Sequence, residues 1–145
     1  MIIKEIHKDL FSMPCEYKLA HCISADFALG AGIARQFCNL YNTRTNLLKA
    51  YKDKQYKDEI VGTILITDNV INLVTKKMCY QKPTYESLKK SLEDMKKYCI
   101  DKNIKDIAMP KIGCGLDRLK WDKVKSIIFN VFKDIDINII VCIKD

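Results

Sequence analysis

The sequence predicts an α/β fold, with helices packed on one mixed sheet. Three observations carry this. Strand-like and helix-like segments alternate along the chain, the pattern of a layered α/β sandwich. Two β-branched runs, 60–67 and 70–75, flank Asp68-Asn69 and read as an antiparallel hairpin, which makes the sheet mixed. A nearly continuous apolar run at 137–143 has the composition of a strand covered on both faces.

The other elements follow in order. Residues 1–6 read as a short strand, and 18–23 as a second that ends at Ser24. The stretch 30–40 reads as a helix opening just after Leu29 on Gly-Ala-Gly, and 43–53 as another helix. The clearest helix follows Pro83, because proline suits a first turn where its missing N–H is not needed. Tyr85, Leu88, Leu92, Met95 and Cys99 then recur at spacings of three and four, an apolar stripe facing a core. Lys89, Lys90, Lys96 and Lys97 fall off that stripe and read as solvated. Residues 106–109 form a short strand ending at Pro110. Trp121, Val124, Ile127, Ile128, Val131 and Phe132 mark the last helix, so Trp121 is read as core rather than a base-stacking platform. With no repeat, linker or low-complexity stretch, a single domain spanning 1–145 is expected.

Composition narrows the class. A chain of 145 residues is long enough to bury a core without disulfides or a structural metal. An apolar fraction of 48% and a charged fraction of 30% are those of an ordinary globular protein. No apolar run reaches the roughly 20 residues of a membrane helix, and 1–5 lacks signal-peptide features. A cytoplasmic monomer with no membrane association is therefore expected. The seven cysteines are odd in number and none has C-x-x-C spacing, so free, mostly buried thiols are expected. Two histidines with no ligand spacing predict no metal site, and no cofactor is expected. The net charge of +7, mostly lysine, suits a polyanionic ligand such as a nucleotide or nucleic acid; it equally suits solvated helix faces.

Ligands of such sheets bind beyond the carboxyl ends of strands, and two glycine loops lie there. They are Leu29-Gly30-Ala31-Gly32-Ile33 and Ile112-Gly113-Cys114-Gly115-Leu116. Backbone N–H groups in such turns form anion nests, and a helix N-terminus adds partial positive charge. Side by side the loops could hold a pyrophosphate; taken singly, each is also readable as a tight turn. Neither matches G-x-G-x-x-G or G-x-x-x-x-G-K. Asp117 stands two residues past Gly115, and Lys76 follows the strand 70–75, next to Lys77. A neighbouring cation or a dry pocket lowers a lysine pKa and makes the amine a nucleophile. Such an amine can attack a sugar C1 in its open aldehyde form and give a Schiff base, with Asp117 moving protons. Residue chemistry alone leaves the plainer reading open, in which the lysines are surface charges and Asp117 caps a turn. Asp9 could accept from an adenine amino group or simply stabilise a turn. His21, inside an apolar strand, reads more readily as core than as a catalyst. Cys114 reads as a small side chain in the phosphate loop, with no histidine near it in sequence.

Several blocks in a fixed order identify a resemblance. They are Asp9-Leu10-Phe11, Leu19-Ala20-His21-Cys22-Ile23-Ser24, Gly30-Ala31-Gly32-Ile33-Ala34, Thr75-Lys76-Lys77, Lys82-Pro83-Thr84-Tyr85-Glu86, and the long block from Met109 through Pro110, Lys111 and Asp117 to Leu119. Together they span nearly the whole chain, which resembles the terminal ADP-ribose protein glycohydrolase-like macrodomains. The resemblance implies a three-layer α/β/α macrodomain with a mixed central sheet, and ADP-ribose as ligand. It implies that Asp9 and Leu10 hold the adenine. Ser24 and the Gly30–Gly32 loop would line the distal ribose and diphosphate. Lys111, Ile112, Gly113, Cys114, Gly115 and Leu116 would wrap the diphosphate. It also brings His21, Ile23, Ile33, Thr75 and Pro110 into the ligand-binding set. Lys76 would attack C1 of the distal ribose, and Asp117 would assist and resolve the lysyl adduct. Two departures stand out. Lys8 precedes Asp9 where the group often has glycine, and 37–60 matches poorly.

Three functions are then expected to compete. The first is a hydrolase removing mono-ADP-ribose from glutamate or aspartate esters or from O-acetyl-ADP-ribose. The second is a glycohydrolase of ADP-ribosylated DNA (thymidine) or RNA, of antitoxin type. The third is a reader that binds ADP-ribose without turnover. The partners are accordingly ADP-ribose and an ADP-ribosylated protein or nucleic acid.

Overall fold

The computed structural model describes residues 1–144; residue 145, the last of the expected domain, lies outside the described residues. Six strands, β1 (Ile2–His7), β2 (Lys18–Ser24), β3 (Thr63–Thr67), β4 (Val70–Lys76), β5 (Asp106–Met109) and β6 (Asn138–Ile143), form one sheet. Its order is β1-β6-β5-β2-β4-β3. The hairpin pair β3–β4 is antiparallel and every other neighbouring pair is parallel. The sheet is mixed because of the hairpin, as the two β-branched runs predict. β6 lies between β1 and β5, the covered position its apolar run predicts.

Strand alternation sorts the core into two sides. Ile107, Met109, Ile139 and Val141 pack with Leu88, Leu92, Met95, Val124 and Ile128 of α3 (Tyr85–Asp101) and α4 (Trp121–Phe132). On the other face, Leu19, Val70, Ala108 and Ile140 pack with Phe37 of α1 (Gly32–Tyr41). Ile23, Leu65 and Val74 pack with Leu47 of α2 (Thr43–Tyr51). Helix, sheet and helix thus form three layers.

Several boundaries move for local reasons. α3 starts later than Pro83 suggests: Pro83 precedes the N-cap, Thr84, whose hydroxyl accepts from the Ser87 amide at 3.0 Å. Ser87 Oγ accepts in return from the Thr84 amide at 3.2 Å, completing a capping box. The 43–53 helix ends at Tyr51 and continues as a 3-10 turn, Lys52–Lys54. β3 begins at Thr63, because Asp58–Ile60 is a 3-10 turn and Gly62 follows at φ +91°. The cysteines are free, but fewer are buried than expected. Cys99 and Cys142 are buried, whereas Cys15 and Cys79 are exposed. Among the described residues, no helix is long and apolar enough to cross a membrane.

Candidate active site

The parallel strands β2, β4 and β5 end on one side of the sheet, and the loops that follow enclose a cleft of about 970 Å³. Ile23 and Ser24 close β2, and Lys76 closes β4. The first glycine loop forms one wall with Ala28, Leu29, Gly30, Ala31, Gly32 and Ile33. Pro110, Lys111, Ile112, Gly113, Gly115, Leu116 and Asp117 form another. The two glycine loops of the sequence are therefore neighbours in space. Gly32 sits at φ +60°, and a β-carbon there would stand 3.6 Å from Leu116 Cδ1 on the opposite loop. Glycine lets the backbone turn at that approach.

Lys76 and Asp117 meet inside this cleft. Lys76 Nζ donates to Asp117 Oδ1 at 2.6 Å, with side chains only 14% and 17% exposed. The adjacent lysine goes elsewhere: half-buried Lys77 pairs with exposed Asp58 at 3.1 Å. Successive strand residues point to opposite faces, so one of the two lysines enters the cleft. The remaining charges of the lining are Lys82, Lys111 and Arg118, so cations outnumber the single carboxylate of Asp117. Together with the loop amides this electrostatic field suits a diphosphate.

Five residues of the expected set do not line the cleft around Lys76. His21 is fully buried, its ring stacked on Phe37 at 3.9 Å, and Nε2 donates to Asn72 Oδ1 at 2.6 Å. Asn72 spends both amide hydrogens on Leu65 O and Thr67 Oγ1, so its Oδ1 is the acceptor. Burial pushes the His21 pKa down to about 4, against the opposing effect of the hydrogen bond that the ring donates to Asn72, so the ring is neutral. It is a core histidine. Leu10 is buried beside Phe37, and Asp9 caps the Leu10–Ser12 turn by accepting from the Phe11 amide at 3.1 Å. Asp9 and Lys8 lie near Cys142, at the end of the neighbouring strand β6. Thr75 is buried, and its carbonyl accepts from Ser87 Oγ. Cys114 turns towards the α3–α4 core and its thiol donates to Ile112 O at 3.3 Å. Burial raises its pKa, so no thiolate forms at neutral pH. Trp121 packs against the same core and donates to Glu5 at 2.9 Å.

The cleft also contains residues that sequence reasoning missed. Cys22 lies in its lining, and burial pushes that thiol up to about 12, with the Asp117 charge adding to the effect. Cys79, Tyr80, Gln81 and Lys82 form a strap between β4 and α3. Nothing in the strap's composition marks it; only its position after a strand that ends at a reactive lysine could have done so. Asp26 stands just behind the lining, hydrogen-bonded to Ser24. Its signal was a lone acid between Ala25 and Phe27 just past a strand end. Among the described residues, no group of three or more His, Cys, Asp or Glu side chains could hold a metal.

Known proteins show which family the chain belongs to. The Macro domain family pattern matches residues 20–128. The chain is 43% identical over 141 residues to the ADP-ribose glycohydrolase OARD1 of Homo sapiens, covering 96% of this chain and 90% of that protein. The Bos taurus protein of the same name matches equally. Among solved structures, the macrodomain of Thermus aquaticus DarG superposes with a TM-score of 0.85 at 22% identity, covering 97% of each chain. The macrodomain of Mycobacterium tuberculosis DarG gives 0.84 at 23% identity, over 99% of this chain and 97% of that one. At those identities the likeness speaks for the fold. With a family pattern over most of its length, a close relative and a shared architecture, the chain belongs to the macro domain family.

Proposed function

We propose that this protein is an ADP-ribosyl glycohydrolase that removes mono-ADP-ribose from modified targets. The observation that carries this is the Lys76–Asp117 contact at 2.6 Å, at the meeting point of two glycine loops. The relatives named ADP-ribose glycohydrolase support it. A reader needs only the loops; it has no use for a part-buried amine paired with a part-buried carboxylate.

The diphosphate lies across the loop amides, which places the distal ribose by Lys76. Asp117 accepts the proton that Lys76 Nζ shares with it, freeing the amine lone pair. The nitrogen then forms a bond to C1 of the ribose while the bond from C1 to the acceptor oxygen breaks. The electron pair leaves on the acceptor carboxylate. Asp117 hands its proton to that carboxylate and, ionised again, takes a proton from water as the water oxygen bonds to C1; the lysyl nitrogen leaves with the C1–N electron pair and recovers that proton from Asp117, and free ADP-ribose departs. The same chemistry would act on O-acetyl-ADP-ribose that carries its acetyl ester on C1. A second reading, in which the acceptor is a thymidine base or an RNA end, is favoured by the cations Lys82, Lys111 and Arg118 in the cleft lining.

Release of ADP-ribose from a glutamate-modified protein and from thymidine-modified DNA decides the matter. Turnover of the first with none of the second fixes the acceptor as a carboxylate. No release from any modified substrate removes the enzyme reading and leaves the reader.

A further inference from the structure

Two walls of the cleft are joined through one carboxylate. Asp26 lies two residues beyond β2 and is 6% exposed. Its Oδ1 accepts from the Ser24 hydroxyl at 2.6 Å and from the Ala28 amide at 3.0 Å. Its Oδ2 accepts from the Cys79 amide at 2.8 Å. Ala28 begins the glycine-loop wall and Cys79 begins the strap that ends at Lys82. The carboxylate therefore ties the two together.

The segment needs such a tie. Phe27 at φ 57° and Leu29 at φ 44° are left-handed without being glycine, a conformation that persists only where its surroundings hold it. The Ala28 amide bond to Asp26 closes an Asx turn over Phe27, and Arg44 Nε donates to Phe27 O at 2.9 Å. The Ala25 and Asp26 amides donate to Lys76 O and Lys77 O, carrying the β2–β4 pairing past the irregularity at Ile23/Ser24.

The tie also sets the polarity of Ser24. Burial alone would raise the Asp26 pKa, yet the bonds from Ser24, Cys79 and Ala28 hold it below the usual carboxylate value. An ionised carboxylate only accepts, and a hydroxyl carries one proton. Ser24 gives that proton to Asp26, so its oxygen offers the cleft lone pairs alone. It accepts from a donor and repels a phosphate oxygen. Ser24 is also the register partner of Lys76 on the adjacent strand. A ligand group beside Ser24 is thus beside the nucleophile, and the matching donor is a sugar hydroxyl.

We propose that Asp26 is a positioning residue of this site: its carboxylate fastens the glycine loop to the Cys79–Lys82 strap and fixes Ser24 Oγ as the acceptor for a hydroxyl of the distal ribose. The proposal rests on the reading that Lys76 attacks that ribose. Asp26→Asn tests it, because an amide presents one donor end and cannot accept from Ser24, Ala28 and Cys79 together. ADP-ribose and ADP, which lacks the distal ribose, are titrated calorimetrically into wild type, Asp26→Asn and Ser24→Ala, with thermal midpoints recorded. Both variants should lose about tenfold more affinity for ADP-ribose than for ADP, the loss of roughly one hydrogen bond to the sugar. A purely structural Asp26 would lower the midpoint and weaken both ligands equally; that result, or unchanged affinities, overturns the proposal. If Asp26→Asn does not fold, Ser24→Ala decides alone, and equal loss for both ligands is again the overturning result. Failure of the glycohydrolase reading is separate: it shows as wild type releasing no ADP-ribose from any modified substrate, whatever the titrations give.

Discussion

Lys76 carries the sharpest expectation at the scale of single residues. Lys76→Ala removes the nucleophile, so single-turnover release of ADP-ribose should fall by about a thousandfold or more, within the range for loss of a catalytic group. ADP-ribose affinity should stay within a few-fold, because the loop amides and the other cations remain. Loss of affinity matching the loss of turnover would make Lys76 a ligand-holding residue instead. Asp117→Asn keeps the shape but cannot take the lysine proton. Turnover should fall by roughly 10²–10⁴-fold, and mass spectrometry of the acid-quenched protein would show whether a lysyl adduct still forms. The family resemblance pairs these two residues, whereas composition and spacing alone do not join them. They are forty-one positions apart, and their 2.6 Å contact depends on a strand end meeting a loop. His21 shows the opposite limit: resemblance placed it in the binding set, while its position inside an apolar strand pointed to the core, where it lies.

At the scale of elements, periodicity was the readable signal. The α3 stripe from Tyr85 to Cys99 and the β-branched hairpin both fold as their spacing dictates. Less readable were the turns, because their geometry depends on side chains closing them. The Thr84–Ser87 box is one case, and Thr84→Ala should destabilise the protein by about 1 kcal/mol in urea unfolding. The second glycine loop is another. Gly113 sits at φ +73°, and a β-carbon there would meet Leu119 Cδ1 at 2.9 Å. Gly113→Ala should therefore cost about 1–2 kcal/mol in left-handed strain, before any clash, and should weaken ADP-ribose binding by displacing the loop. Gly30 provides the control: a β-carbon there meets nothing closer than Ala28 O at 4.0 Å, so Gly30→Ala should leave stability nearly unchanged. Equal stability losses at the two positions would show that the loop conformation, and not glycine at Gly113, sets the cost.

For the molecule as a whole, acid sensitivity follows from the buried histidine. The unfolded ring takes up a proton near pH 6.5, whereas the folded one does so only at about 4, because burial disfavours the charge. A protonated ring would also bury an Nδ1–H where Nδ1 has no hydrogen-bond partner. As pH falls through that window the unfolded chain binds the proton first, so stability declines. It is fully present above pH 6.5 and falls by up to about 1.4 kcal/mol per unit, roughly 3 kcal/mol in all, before levelling near pH 4. Asp26, whose pKa is depressed, acts below this window: its contribution is present above the usual carboxylate value and is lost as pH drops through its lower folded value. Urea unfolding at pH 7.5 and pH 4.5 measures the effect in wild type and in His21→Gln. The glutamine amide can still donate to Asn72 but does not titrate, so the variant, though less stable at neutral pH, should show a much flatter slope. Equal slopes would assign the acid sensitivity to the carboxylates and leave His21 as packing alone. The same experiment links core to cleft. His21 lies in β2 three residues before Ser24, so if its protonation loosens that strand, ADP-ribose affinity should fall over the same pH interval in wild type and not in the variant.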